Sequence, residues 1–203
     1  MKQIVTLAAA LIALCYPFVV YFGLRHYSPR IISGILLFAY LARLIVTGGW
    51  KDPLNRYVAV LGCILLALPT LLNTATSLLY FPVLINLSLF GAFLHSLQYP
   101  PSVIERFARK YRGDLTAHQQ AYCRAVTRCW VVMFIFNGSV AFVLAWSSNL
   151  EAWTLFNGLI AYVFVAVLFV GEFIYRHWRF RHYVGLPTDP ILKRIFPPPD
   201  VVA

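Results

Sequence analysis

"YVAVLGCILLALPTLLNTATSLLYFPVLINLSLFGAFLHSL", residues 57–97, is an apolar run of 41 residues broken once, by the polar segment Asn73 to Ser77, with Pro69 and Pro82 on either side of the break. As one straight helix it would extend roughly 60 Å at about 1.5 Å per residue, twice the hydrocarbon thickness of a bilayer. Length therefore divides it into two crossings, 57–75 and 78–97, with a turn at the polar segment. Single apolar runs of crossing length lie outside it, at 31–47, 129–147 and 152–175. The N-terminal run "MKQIVTLAAALIALCYPFVVYFGL" (residues 1–24) begins like a signal peptide, with Lys2 ahead of apolar residues. It is too long for one, lacks a small-x-small cleavage site, and has Leu14 where a lipoprotein signal needs a small residue before Cys15. It is expected to be a retained first helix.

Composition agrees. Of 203 residues 61% are hydrophobic and 12% charged, too little polar surface to cover a water-soluble globule of this size. The expected fold class is all-α, a polytopic membrane helical bundle of about six transmembrane helices plus a cytoplasmic interfacial amphipathic helix. Residues 1–175 are expected to form the transmembrane bundle, including the basic 98–128 loop, and 176–203 a basic, Pro-rich cytoplasmic tail.

With six crossings both termini share a side. That side collects 14 of the 17 Lys and Arg residues, the opposite side holds Arg25 and Arg30, and Arg43 lies within the second crossing, placed to snorkel. The positive-inside rule then puts both termini in the cytoplasm. A five-crossing arrangement would score almost as well on charge, so length decides the count.

In the 98–128 loop, Val103, Ile104, Phe107, Ala108 and Tyr111 recur on one helical face, and Glu105, Arg106, Arg109, Lys110 and Arg112 take the other. Ser102 and Glu105 have capping-box spacing, and Gly113 is a helix stop. The pattern predicts a short helix on the membrane surface. Its cations, with Arg124 and Arg128 beyond, are candidates to contact anionic lipid or to dock a cytoplasmic protein; nucleic acid is the poorest fit. Thr116 and Gln119 repeat the capping spacing and start a second helix that runs into the fifth crossing. "RHWRFRHY" at 176–183 reads as interfacial anchoring, and "PTDPILKRIFPPP" at 187–199 allows a turn or two of helix from Pro190.

Inside the membrane, "FNGSVAFV" at 136–143 and "FNGLIAYV" at 156–163 nearly repeat on consecutive helices. They predict complementary faces of one hairpin, with Asn137 and Asn157 either hydrogen-bonding across it or lining a cavity. Glu151 is expected to complete a capping box with Ser148, or to meet a substrate or proton; Glu172 is expected to pair with Arg176, four residues on. Asn137, Asn157, Glu151 and Glu172 are thus the binding candidates. No acid pair, His-Asp arrangement, Gly-x-Ser nucleophile or Gly-rich phosphate loop is present. Cys15, Cys63, Cys123 and Cys129 form no CxxC, and His177 and His182 stand five apart, so neither a metal nor a cofactor is implied.

"PPSVIERFAR" (100–109), "AYCRAVTRCW" (121–130) and "LEAWTLFNGLIAYVFVAVLFVGEFIYR" (150–176) resemble hallmark segments of a family of small bacterial inner-membrane proteins whose genes accompany aryl-polyene and related fatty-acid-like biosynthesis clusters. The likeness covers roughly 100–176. It implies a non-catalytic component serving a lipid-linked biosynthesis or export assembly, with biosynthesis or export proteins as partners at the cytoplasmic face. A small carrier of lipid or acyl product, with a polar site in the last two crossings, is the alternative. The family supplies no catalytic residue; its motifs fall on Pro101, Ile104, Glu105, Arg106, Arg124, Trp130, Asn137, Gly138, Glu151, Asn157, Gly158 and Glu172.

Overall fold

A computed structural model describes residues 15–47, 53–181, 194–195 and 197; of residues 47, 53–58, 111 and 112 only the backbone is described. The described residues contain helices and no strand. They are α1 (15–26), α2 (Pro29–Thr47), α3 (Pro53–Leu72), α4 (Thr76–Leu79), α5 (Phe81–Gln98), α6 (Val103–Arg112), α7 (Ala117–Ser147), α8 (Leu150–Leu155), a π-helical turn (Phe156–Ile160) and α9 (Ala161–Phe180). The chain falls into two compact units, Met1–Ala161 and Tyr162–Ala203.

Four stretches are long and apolar enough to cross a membrane: Pro29–Val46, Thr76–Gln98, Ala117–Ser147 and Leu150–Phe180. Ala59–Leu72 is apolar but shorter, and most of the 1–24 run expected to make a first crossing lies outside the described residues. Burial runs opposite to that of a soluble protein. Ser33, Ser96, Thr127 and Asn137 are buried, while Phe38, Ile45, Val132 and Trp146 point outward. Lipid tails are as apolar as Leu, so such a bundle hides its hydroxyls and amides and turns its hydrocarbon outward.

The long run at 57–97 is divided where the polar segment predicts. Helix α3 ends at Leu72, Asn73 takes a left-handed backbone (φ 55°), and the chain restarts as α4 and α5. Arg30 supports the ending from α2: its Nε donates to the Thr70 carbonyl at 3.0 Å, its Nη2 to Leu71 at 3.2 Å, and its backbone N–H to Asn73 Oδ1 at 3.2 Å. A cation is favourable where the last carbonyls of a helix lack partners.

Past the break, Pro82 has no N–H to give the Leu78 carbonyl, four residues earlier. Tyr16 of α1 supplies the donor, its hydroxyl lying 2.5 Å from Leu78 O, and Trp153 Nε1 of α8 donates to Leu79 O at 2.9 Å. Around these two bonds Tyr16, Val20, Ile32, Leu36, Leu66, Leu78, Leu79, Ala145 and Trp153 form the principal core. The core thus gathers at the end of the bundle away from the basic loop, where α1, α2 and the α4–α5 junction meet α8.

Helices α5 and α7 make the most extensive helix pair among the described residues. A Cβ built on Gly138 would lie 3.2 Å from the Asn86 Cβ, so the missing side chain sets how closely the two approach. Gly158 has a different neighbour: a Cβ there would lie 2.8 Å from the Phe18 ring of α1. The two glycines of the near-repeats therefore do not face each other. Gly138 faces α5 and Gly158 faces α1.

Candidate functional site

The capping boxes predicted in the basic loop fix where α6 and α7 begin. Thr116 Oγ1 accepts from Gln119 N at 3.3 Å and Gln119 Oε1 accepts from Thr116 N at 3.0 Å, the complete reciprocal pair. Ser102 Oγ accepts from Glu105 N at 3.4 Å, half of such a box, and Gly113 ends α6 with φ 72°. At about 1.5 Å per residue the 31 residues of α7 measure roughly 46 Å, about 16 Å more than a hydrocarbon core. Helix α6 packs on α7.

Glu105 corrects the sequence reading. Expected on the solvent face of α6, its carboxylate is buried, with the residue only 2% exposed. Its Oε1 accepts from Arg109 Nε at 3.1 Å and Nη2 at 2.8 Å, while Oε2 is buried without a hydrogen-bond partner. The helical wheel places Glu105 between Ala108 and Arg109, at the edge of the apolar face, and docking α6 between α5 and α7 covers that edge. Phe107 moves the other way: it is 61% exposed, between exposed Arg106 and Lys110. Arg106 Nε donates to the Pro101 carbonyl at 2.9 Å, and Ser96 Oγ of α5 accepts from Val103 N at 3.1 Å, tying both ends of the connection. Arg124 and Arg128 are exposed on α7. Arg112 ends α6, with its side chain outside the described residues.

At the opposite end the predicted Ser148–Glu151 capping box is absent. Ser148 is instead the left-handed C-cap of α7 (φ 53°), and Asn149 caps α8 by accepting from Ala152 N at 3.0 Å. One residue absorbed in ending α7 shifts the cap by one. Glu151 is left to pair with Arg25 of α1 at 3.4 Å, in an exposed position, and Arg25 also bonds Tyr21 Oη.

Asn137 and Asn157 are both buried, and they behave differently. Asn157 Nδ2 donates to the Trp153 carbonyl at 2.9 Å, inside the turn where the helix widens to the i−5 pattern. Asn137 sits on the face of α7 that meets α5, and its Oδ1 is buried with no partner. The amide Nδ2 of Asn86, across that face, is turned to its own helix, donating to Pro82 O at 2.9 Å. In the second unit Glu172 pairs with Arg176 at 3.6 Å, the predicted i,i+4 contact, and His177 Nδ1 lies 2.8 Å from the Phe173 carbonyl. His182 and the turn expected from Pro190 lie outside the described residues, apart from the helical pair Arg194 and Ile195.

Tyr16 and Trp153, which satisfy carbonyls within the core, and Arg30, which supports the end of α3, carried no candidacy in the sequence. Pro82 was the available signal, since a proline inside a membrane helix leaves a carbonyl that some other element must satisfy. The described residues bring no three His, Cys, Asp or Glu together in an arrangement suited to a metal ion. No protein-family model, no curated protein and no solved structure matches the chain.

Proposed function

We propose that this chain is a six-crossing component of the bacterial inner membrane, both termini cytoplasmic, that organises a biosynthesis or export assembly by docking it on helix α6. The observation that carries the proposal is the exposure of Phe107 beside exposed Arg106 and Lys110 on a helix capped at both ends and packed on α7. Exposed Phe and Arg are residue types enriched at protein interfaces, and a helix already capped and packed loses little further freedom when a partner binds. The six crossings are supported by four long apolar helices, the apolar α3 and the run at 1–24. The resemblance of 100–176 to proteins encoded beside aryl-polyene clusters suggests that the assembly handles a lipid-linked or polyene-type acyl product.

The test is co-purification from the native membrane after Arg106→Glu and Lys110→Glu. Arg109 is left intact, because its loss would strand a buried Glu105 carboxylate and destabilise the fold by several kcal/mol. Release of stoichiometric protein partners at unchanged membrane levels is the expected result, and unchanged co-purification refutes the role.

A carrier of lipid or acyl product is favoured by one observation, the unpartnered Asn137 Oδ1. It would accept a hydrogen bond from a hydroxyl or amide of the cargo. Asn137→Leu then abolishes cargo retention in native mass spectrometry, whereas a packing role leaves any retained lipid in place.

A further inference from the structure

We infer that the outer face of α7 binds the phosphate of an anionic phospholipid, with Arg124 and Arg128 as its ligands. Exposed Arg124, Arg128, Val132, Ile135, Phe142 and Trp146 fall within about 80° of one another around the helix. Buried Cys123, Thr127, Trp130, Phe134, Asn137 and Ala141 occupy the other side. The ridge is thus one continuous outward surface, cationic at one end and apolar below except for Ser139.

Its dimensions match one bilayer. Arg128 and Trp146 are separated by about 27 Å at about 1.5 Å per residue, close to the hydrocarbon thickness. Trp146, 75% exposed, is an interfacial residue type at one boundary. Arg128 then lies at the other boundary, and Arg124 stands about 6 Å further out, among headgroups. Acyl chains resting on Val132 and Ile135 bring their phosphate to this level.

Charge selects an anion. Each carboxylate described is engaged elsewhere: Glu105 and Asp114 with Arg109, Glu151 with Arg25, and Glu172 with Arg176. Among the described residues, no ion pair joins a carboxylate to Arg124 or Arg128. Two guanidinium groups at i,i+4 repel, and an intervening phosphate relieves the repulsion while accepting their planar donor arrays. The apolar ridge beneath them favours a phosphate that carries acyl chains over a free one. None of the α6 docking residues takes part, so this site and the proposed docking role stand separately.

The test is a native mass spectrometry titration of the full chain with phosphatidylglycerol and with phosphatidylcholine. Each cation beside an anionic lipid contributes about a fivefold factor in affinity, so Arg124→Gln with Arg128→Gln is expected to weaken phosphatidylglycerol about 25-fold, to the level of phosphatidylcholine. Arg124→Lys with Arg128→Lys retains part of the preference, and Arg106→Gln with Lys110→Gln retains all of it. Undiminished phosphatidylglycerol binding in the Gln pair overturns the site. So does displacement by millimolar inorganic phosphate from the unaltered protein, which would make it an anion site without a lipid. Loss of the preference in the Arg106 and Lys110 variant would assign the headgroup to α6 and overturn it as well.

Discussion

Tyr16→Phe removes one oxygen from the core and leaves its shape intact, so it isolates the hydrogen bond to the Leu78 carbonyl. Interhelical hydrogen bonds in membrane proteins are worth about 0.6 kcal/mol on average and up to about 1.7 kcal/mol. This one belongs near the top of that range. Tyr16 and Leu78 are buried, Pro82 cannot donate to the same carbonyl, and water is excluded from the site. We expect a loss of about 1.5 kcal/mol, roughly a tenfold shift in the unfolding equilibrium. Reversible unfolding in mixed micelles, followed by circular dichroism, reads the value. The decisive control is the same change in a Pro82→Ala background, where residue 82 regains an N–H aimed along the helix at Leu78 O. There the cost of Tyr16→Phe should fall below about 0.5 kcal/mol, because the carbonyl already has a donor. An equal cost in both backgrounds would show that Tyr16 stabilises the bundle by packing, and the argument from the orphaned carbonyl would fail.

Gly138→Ala should destabilise the protein by about 1–3 kcal/mol, since its Cβ meets the Asn86 Cβ at 3.2 Å, whereas Gly91→Ala, where the added carbon meets open space, should be neutral or slightly stabilising; thermal unfolding of the two side by side decides this. Asn149→Ala should cost about 1 kcal/mol through loss of the α8 cap, and Glu151→Gln under about 0.5 kcal/mol because its partnership with Arg25 is exposed; equal losses in a denaturation series would return the cap to Glu151. Thr116→Ala should speed amide exchange in the first turn of α7 while leaving residues near Asn137 protected, and uniform exchange along the helix would refute a locally capped start.

The sequence by itself determined what could be computed from length, period and local chemistry. It gave an all-helical chain with runs long and apolar enough to cross a membrane, the division of 57–97, and the starts of α6 and α7, because helix length and capping spacing act within a few residues or a single run. The pairing of Glu172 with Arg176 is legible for the same reason: four residues on a helix are always neighbours. Tertiary structure decided what depends on which helix lies alongside. It buried Glu105 and exposed Phe107 on an amphipathic helix whose pattern alone ranked them the other way, because the docking of α6 covers one edge of its face. It sent Gly138 to Asn86 and Gly158 to Phe18, although the two phrases read as mates. It also recruited Tyr16 and Trp153 to carbonyls at a break some 60 to 75 residues away in sequence. A carbonyl deprived of its donor by proline must be satisfied in a medium without water, but its partner is chosen by proximity in space, to which local sequence pattern is blind.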